Sequence, residues 1–236
     1  MPIHFHFSSA AVDFAQRGLR AALPCVALII SLGAAHAAPP ARADLKGVPA
    51  SADVKLVTDW IMRNNKHRGH PFVVADKVDG SLFAFDANGA LLAKTAALFG
   101  AMKSDVLTEE QANKTLAETL ASDMITPAGI FPAHAYRSAA YGESVRFAKY
   151  ANSNLLIHRA PGDKRRRLLQ SAAVGDAHMT LGCINVLPEF IAKVLMPNFR
   201  GESTVFILPE TQPAQSFFAI GDTVGRMAQT QGAAVD

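Results

Sequence analysis

The chain has 236 residues and a formal net charge of +3; 50% of the residues are hydrophobic and 18% are charged. This composition excludes a wholly disordered protein, and the length suits one domain with appendages. The small net charge and the lack of a nucleic-acid-binding motif argue against a nucleic-acid partner, so we expect none.

The first 37 residues have the pattern of a secretory signal peptide. Arg17 and Arg20 precede an apolar run over residues 21–35, and Ala35-His36-Ala37 offers the small residues that signal peptidase requires. The run is short for a membrane span, although a retained signal anchor is the alternative. We therefore predict a signal peptide over residues 1–37, a periplasmic mature protein and no transmembrane segment in the mature form.

The two cysteines have different fates under this prediction. Cys25 lies inside the apolar run and would leave with the signal peptide, so Cys183 would be the single thiol of the exported protein. A disulfide within one mature chain is then impossible. A lone cysteine in an oxidising compartment is a small buried hydrophobic residue, an intermolecular bridge or a nucleophile.

The region after the signal predicts a linker, a helix and a β-meander. Residues 38–50 are rich in Pro and Ala and are typical of a linker. Ser51 can cap a helix that runs to about Asn65, within an N-terminal segment of residues 51–70. Three β-type runs follow, at residues 72–77, 82–87 and 90–98. Asn88-Gly89 is a hairpin signal, so we expect these strands to be antiparallel neighbours.

The second half of the chain alternates predicted strands with two helices. Thr108 begins a capping box and predicts a helix to about Ser122, and Pro188 suits the first turn of a helix over 188–195. Further β-type runs lie at residues 147–150, 155–158 and 204–208. A polar tail of residues 210–236 follows. The fold class predicted for residues 71–209 is mainly β with decorating helices, a mixed β-sandwich in which a helix follows Cys183.

Cys183 has neighbours that suit a nucleophile. It precedes a helix start, where unpaired backbone N–H groups favour a thiolate and an oxyanion. Gly182 removes a side chain just before the sulfur, so a substrate carbonyl can approach the backbone. His158 ends a predicted strand and is the candidate base, because an unassisted thiol is mostly protonated at neutral pH.

The spacing of these residues resembles the signature of L,D-transpeptidase catalytic domains, which have the YkuD-like fold. That signature is a His, a spacer and then Ser/Thr-x-Gly-Cys, followed by an aliphatic residue and Asn or Arg. This chain matches it with His158, Thr180, Gly182, Cys183, Ile184 and Asn185. The resemblance covers roughly residues 71–209, and 126–131 (TPAGIF) resembles the family's Thr-Pro-x-Gly turn.

The resemblance implies a role for each matched residue. Cys183 would attack the diamino acid carbonyl of a tetrapeptide stem and expel D-alanine, with His158 as base. The backbone carbonyl of Arg159 would hold the imidazole ring. The N–H groups of Gly182 and Cys183 would form the oxyanion hole. Thr180 and Asn185 would brace the loop.

Substrate-binding residues are less closely specified. The basic run Lys164–Arg167, with Arg165 and Arg166, is either a solvated loop or a site that attracts the carboxylates of peptidoglycan stem peptides. Tyr150 either contacts the peptide or packs as an ordinary aromatic residue. The amine acceptor stays open, and we expect no cofactor and no metal, with His67 and His70 as surface histidines.

Two features depart from the family pattern. The spacer between His158 and Thr180 holds 21 residues, longer than usual, and Leu181 replaces a His that many members carry. Two alternatives therefore stay open beside the transpeptidase. One is an L,D-carboxypeptidase or other hydrolase on the same scaffold, and the other is a non-catalytic wall-binding module.

Overall fold

The structure is a computed structural model that describes residues 42–171 and 177–221, all within one compact unit of residues 38–236. The predicted signal peptide, the start of the linker and most of the tail lie outside the described residues. Within the described ranges no helix is both long enough and apolar enough to cross a membrane.

The domain is mainly β, with short helices around one large sheet, as the sequence predicts. Eight strands form this sheet in the order β3-β2-β1-β10-β5-β6-β7-β9, and β4 pairs with β8. The strands are β1 Phe72–Asp76, β2 Ser81–Phe85, β3 Leu91–Ala96, β4 Phe99–Gly100, β5 Gly129–Ser138, β6 Gly142–Lys149, β7 Asn154–Arg159, β8 His178–Thr180, β9 Ile184–Val186 and β10 Ser203–Ile207. The helices are α1 Ala52–Arg63, α2 Glu109–Ala112, α3 Gly162–Gln170, α4 Pro188–Phe190, α5 Met196–Asn198 and α6 Ala214–Phe217.

The first three strands confirm the predicted meander. β1 pairs antiparallel with β2, and β2 pairs antiparallel with β3. The carboxylate of Asp86 accepts the backbone N–H groups of Asn88 and Ala90, at 2.9 and 2.8 Å, while Gly89 takes a φ of +79°. The side chain of Asp86 and the left-handed glycine thus form the turn that the Asn-Gly pair predicts.

Alternation along β1 separates two apolar cores. Phe72 and Val74 face α1 and pack with its buried residues, whereas Val73 and Ala75 belong to the core on the other face of the sheet. Helix α1 begins after Ser51, whose hydroxyl accepts the N–H of Val54 at 3.1 Å. The predicted helix therefore forms, and its apolar stripe covers one face of the sheet.

The core that contains Val73 and Ala75 explains how the two ends of the sheet meet. It joins Leu82 of β2 to Ile157 of β7 and Ile184 of β9, strands that are far apart in the sheet order. Leu98, just after β3, exchanges two backbone hydrogen bonds with Asn185 of β9, both 2.9 Å long. The sheet therefore curves around its core and brings the β7–β9 edge, which carries the candidate site, next to the N-terminal strands.

Beyond Cys183 the chain forms the expected helix, in three continuous pieces. α4 begins with Pro188 in its first turn, a wider π-helical turn covers Ile191–Leu195, and α5 completes the segment. Ile191 and Leu195 are buried in the core shared by both ends of the sheet. The helix thus packs the segment after Cys183 against the sheet that carries His158.

The helix predicted from Thr108 to Ser122 is wrong beyond its first turn. The capping box forms between Thr108 and Gln111, but α2 ends at Ala112. Asn113 then turns away, because its side chain accepts the N–H of Ala151 and its carbonyl accepts the side-chain amide of Asn152. These tertiary contacts replace the helical hydrogen bonds that the sequence pattern would have continued.

Two further expectations need correction. The Lys164–Arg167 run lies on helix α3 and not in a loop, since Arg, Lys and Leu favour a helix and Leu169 anchors it in a small core with Leu98. His67 is buried and not on the surface, with Nε2 3.1 Å from the carbonyl of Ala87.

Candidate active site

His158 lies on β7, and Cys183 directly precedes the neighbouring strand β9, at one edge of the sheet. β7 and β9 are parallel, with Ile157 opposite Ile184 and His158 opposite Asn185. Continuing this register one residue back places Cys183 beside Leu156, whose backbone hydrogen-bonds the thiol. The nucleophile and the base candidate are thus two residue positions apart along the strands, a distance of about 6–7 Å.

The thiol of Cys183 is half-buried at the floor of a cavity. Its Sγ lies 3.6 Å from the carbonyl oxygen of Asn154, to which it donates. Burial raises the pKa of the Cys183 thiol to about 11, only partly offset by the hydrogen bond from the Leu156 backbone. The free protein therefore holds a neutral thiol that is still reachable from the cavity.

The imidazole of His158 is fixed at both nitrogens. Its Nδ1 lies 2.8 Å from the carbonyl oxygen of Arg159, so Nδ1 carries the proton. Its Nε2 lies 3.1 Å from the side-chain amide nitrogen of Asn185. Burial lowers the pKa of His158 to about 4, against the hydrogen bond to Arg159, and the charges of Arg165 and Arg159 lower it further. The ring is therefore neutral, with its lone pair on Nε2.

Within the two described ranges no hydrogen bond joins the Cys183 sulfur to the His158 ring. The single lone pair of Nε2 already accepts the amide of Asn185, while the thiol donates to Asn154. The amide orientation is chemically consistent, since the other end of Asn185, Oδ1, accepts from Arg165 at 3.4 Å. Cys183 and His158 face one cavity, but Asn185 occupies the base nitrogen in the free protein.

Tyr141 is a site residue that the sequence analysis did not select. Its ring stacks on His158, with centroids 3.7 Å apart and planes 13° from parallel. The carbonyl of Tyr141 also accepts from Nε of Arg159 at 2.9 Å. Nothing in the local sequence marks this role, because it depends on the hairpin between β5 and β6 folding against β7.

The loop that carries Cys183 is held by its own hydrogen bonds. The hydroxyl of Thr180 accepts the N–H of Gly182 at 3.1 Å and donates to the carbonyl of Cys183 at 2.6 Å. Thr126, in the Thr-Pro-x-Gly turn, donates from its hydroxyl to the carbonyl of Gly182 at 2.8 Å. The N–H of Gly182 is thus engaged inside the loop and must exchange this bond before it can serve an oxyanion.

The cavity above the thiol has a volume of about 410 Å³. One wall comes from the irregular segment after α2 and another from residues 152–156, while Leu181 lies at the rim with half of its surface exposed. Arg165 also lines the cavity, next to Asn185. This space accommodates a small peptide chain rather than a folded partner.

Of the three predicted substrate-binding residues, one lines the cavity. Arg165 faces the cavity, whereas neither Arg166 nor Tyr150 is among its lining residues. Arg166 pairs with Asp163 on the outer side of α3. Tyr150 packs against the core, and burial raises its pKa. Neither Arg166 nor Tyr150 is therefore placed to contact a ligand in this cavity.

A buried charge cluster, Lys77 with Asp105 and Glu210, contacts the Thr126 turn that hydrogen-bonds the loop of Cys183. Nζ of Lys77 lies 3.0 Å from carboxylate oxygens of both Asp105 and Glu210, and it donates to the carbonyl of Thr126 at 3.1 Å. Glu210 in turn contacts His178 at 2.7 Å. Burial alone would raise the pKa of Asp105, but hydrogen bonds from Thr211, Glu210 and Lys77 lower it.

Neither this cluster nor the cavity offers a metal site. In the part of the chain that the structure describes, no three His, Cys, Asp or Glu side chains are grouped to hold a metal ion.

No protein-family model and no curated protein sequence matches this chain. Solved structures similar to it include an L,D-transpeptidase from Mycobacterium smegmatis, at 16% identity and a TM-score of 0.40, with 58% of each chain covered. The helical cell shape determining protein Pgp2 from Campylobacter jejuni is 14% identical, with a TM-score of 0.38, over 61% of this chain and 49% of that one. The catalytic domain of the E. faecium L,D-transpeptidase is 12% identical, with a TM-score of 0.39, over 59% of this chain and 98% of that one.

This chain therefore spans less than two thirds of the length of the M. smegmatis and C. jejuni proteins. Two of these three similar structures are L,D-transpeptidases, the family whose motif the sequence resembles.

Proposed function

We propose that this protein is an exported peptidoglycan L,D-transpeptidase in which Cys183 is the nucleophile and His158 the general base. One observation supports this most directly: the only described thiol, just before β9, and a buried, neutral imidazole on the parallel neighbour β7 line the same cavity. The sequence motif around them supplies the substrate class, a tetrapeptide stem. The pattern of residues 1–37 supplies the export and the periplasmic location.

Acylation begins with a proton transfer inside the cavity. Nε2 of His158 takes the thiol proton as the sulfur bonds to the carbonyl carbon of the diamino acid, and the carbonyl oxygen becomes an oxyanion. The N–H of Cys183 stabilises that oxyanion, joined by Gly182 once its N–H leaves Thr180. Collapse breaks the C–N bond, and His158 returns the proton to the departing D-alanine nitrogen.

Transfer repeats these steps with a second amine. The acceptor nitrogen loses a proton to Nε2 as it attacks the thioester, and the C–S bond then breaks to regenerate the Cys183 thiol. The product is a peptide bond between two stems. Forming this bond is a step of peptidoglycan biosynthesis, which contributes to cell wall organisation and cell shape. Water in place of the amine would make the same protein an L,D-carboxypeptidase.

Intact-protein mass spectrometry after incubation with tetrapeptide muropeptides tests this proposal. We expect an adduct equal to the stem without its terminal D-alanine, and linked stems as products. Cys183→Ala should abolish the adduct, and His158→Ala should slow its formation by about a hundredfold, the usual scale for loss of a general base. His134→Ala is the matched control, since His134 is exposed and contacts Arg146 outside the cavity.

The products separate the alternatives. Trimmed stems without linked stems would indicate the hydrolase. The absence of any adduct, with an intact fold and with binding to sacculi, would support the non-catalytic wall-binding module and overturn the proposal.

A further inference from the structure

The guanidinium of Arg165 lines the wall of the cavity and keeps N–H donors that its described contacts do not use. Its Nη2 donates to the carbonyl of Met179 at 2.9 Å and its Nη1 to Oδ1 of Asn185 at 3.4 Å. A guanidinium has five N–H donors, so these two contacts leave three for a ligand. No described Asp or Glu pairs with it, whereas Arg166 on the same helix pairs with Asp163.

A half-buried guanidinium that lines a cavity is suited to an anion. Planar guanidinium groups bind carboxylates with two parallel hydrogen bonds, and such bonds are about twice as strong as neutral ones. The long spacer between the motif's histidine and threonine forms helix α3, which brings Arg165 to this wall. The cavity therefore offers a carboxylate-binding group that the catalytic pair does not itself use.

The position of Arg165 indicates which carboxylate it meets. Arg165 hydrogen-bonds Asn185, which lies opposite His158 and whose amide nitrogen is 3.1 Å from Nε2. Arg165 therefore lies at the His158 end of the site and not at the Cys183 end. In the proposed reaction the acyl group is bonded to the sulfur, while both amines exchange their proton with Nε2. The amine component therefore lies on the side of the cavity that Arg165 occupies.

We propose that Arg165 binds a carboxylate on the carbon next to the reacting amine nitrogen, an inference that rests on the proposed function. The departing D-alanine carries such a carboxylate. An acceptor amine would be selected by the same contact, so the pocket favours amines that carry such a carboxylate over amines that lack it and over water. Arg165 is thus a specificity-determining residue for the amine component, on both the leaving and the arriving side.

The test compares two acceptors that differ in this carboxylate alone. Wild-type protein is incubated with tetrapeptide muropeptide and with D-methionine or D-methioninamide, and the transfer products are quantified by mass spectrometry. We expect transfer to D-methionine to exceed transfer to the amide by at least tenfold. Arg165→Gln should reduce this ratio to nearly one, Arg165→Lys should retain part of it, and Arg166→Gln should leave it unchanged.

The ratio isolates recognition from structural damage. If Arg165→Gln acted only by displacing Asn185, both transfers would change by the same factor and the ratio would stay as in the wild type, which would overturn the inference. Equal use of both acceptors by the wild type would also overturn it. A loss in Arg165→Gln that appears only with donor stems carrying a free side-chain carboxylate, and not with their amidated forms, would reassign Arg165 to the acyl donor.

The proposed function fails in a different way. If wild-type protein forms no acyl adduct with tetrapeptide stems, both the transpeptidase and the role of Arg165 are overturned. If it forms the adduct but shows no acceptor discrimination, only the role of Arg165 is overturned.

Discussion

The side-chain amide of Asn185 donates to Nε2 of His158 at 3.1 Å, on the nitrogen that would have to accept the thiol proton. A neutral imidazole has one lone pair, so this bond and a bond from Cys183 exclude each other. In the free protein, Asn185 therefore blocks the nitrogen of His158 that would act as the base. Acylation requires Asn185 to release Nε2 or the ring to shift.

Removing this amide should expose the base. Asn185→Leu keeps the side-chain size but cannot donate, so Nε2 becomes available to the Cys183 thiol. We expect iodoacetamide to alkylate Cys183 several-fold faster at neutral pH than in the wild type, measured by intact mass. The gain should disappear in Asn185→Leu combined with His158→Gln; its survival there would show that Asn185 does not act through His158.

The pH profile of acylation should reflect a neutral pair. Because burial lowers the pKa of His158 to about 4 and raises that of Cys183 to about 11, both groups keep their reactive neutral forms between these values. The value of kcat/KM for tetrapeptide acylation should rise with pH through about 4 and then stay level to about 10. A rise centred near 6.5, the ordinary pKa of histidine, would contradict this arrangement.

Local patterns predict the parts of the fold that local contacts determine. The Asn88-Gly89 pair predicts the hairpin because the turn satisfies its own backbone groups through Asp86. Cys183 and His158, the two residues that the motif selects, line one cavity because Cys183 directly precedes β9 and His158 lies on its parallel neighbour β7. The helix beyond Ala112 could not be excluded from the sequence, since the contacts that end it come from residues 151–153.

Long-range contacts determine the parts of the site that the sequence does not reveal. Tyr141 reaches His158 only because β6 pairs with β7 in a particular register. Lys77 follows an ordinary strand and looks like an exposed strand-end lysine, yet its side chain is fully buried by partners 27–133 residues away in the chain. Periodicity carries no information about either contact.

The stack of Tyr141 on His158 should be measurable by substitution. Aromatic pairs are worth about 0.5–1.5 kcal/mol, which corresponds to about 2–12-fold in rate if the stack orients the base. Tyr141→Leu should therefore lower kcat/KM for acylation by about fivefold. Tyr141→Phe retains the stack and should behave like the wild type. Equal losses in both variants would assign the effect to the hydroxyl.

The cluster of Lys77, Asp105 and Glu210 should contribute to stability. Lys77→Met would leave two carboxylates facing each other in a buried site, and breaking a buried pair in this way costs about 3–5 kcal/mol. The free energy of unfolding, measured with urea, should fall by about that amount. Lys103→Met, at an exposed position, is the control and should change it by less than about 0.5 kcal/mol. A small effect of Lys77→Met would show that the carboxylates find other partners.

Gly182 should tolerate no side chain, for two independent reasons. Its φ of +118° is a conformation that residues with a Cβ rarely adopt, and a Cβ there would lie 2.7 Å from the backbone oxygen of Ile125. Gly182→Ala must therefore shift the loop, which displaces the neighbouring sulfur. A misplacement of about 1 Å can cost about a hundredfold in rate, so tetrapeptide acylation should fall by at least that factor.

Gly201→Ala is the matched control, because a Cβ at Gly201 meets no atom within 4 Å, and it should acylate normally. Alkylation of Cys183 by iodoacetamide, which needs no alignment with an acyl substrate, should change far less than acylation; an equal loss of both would mean that the thiol had been buried rather than misaligned.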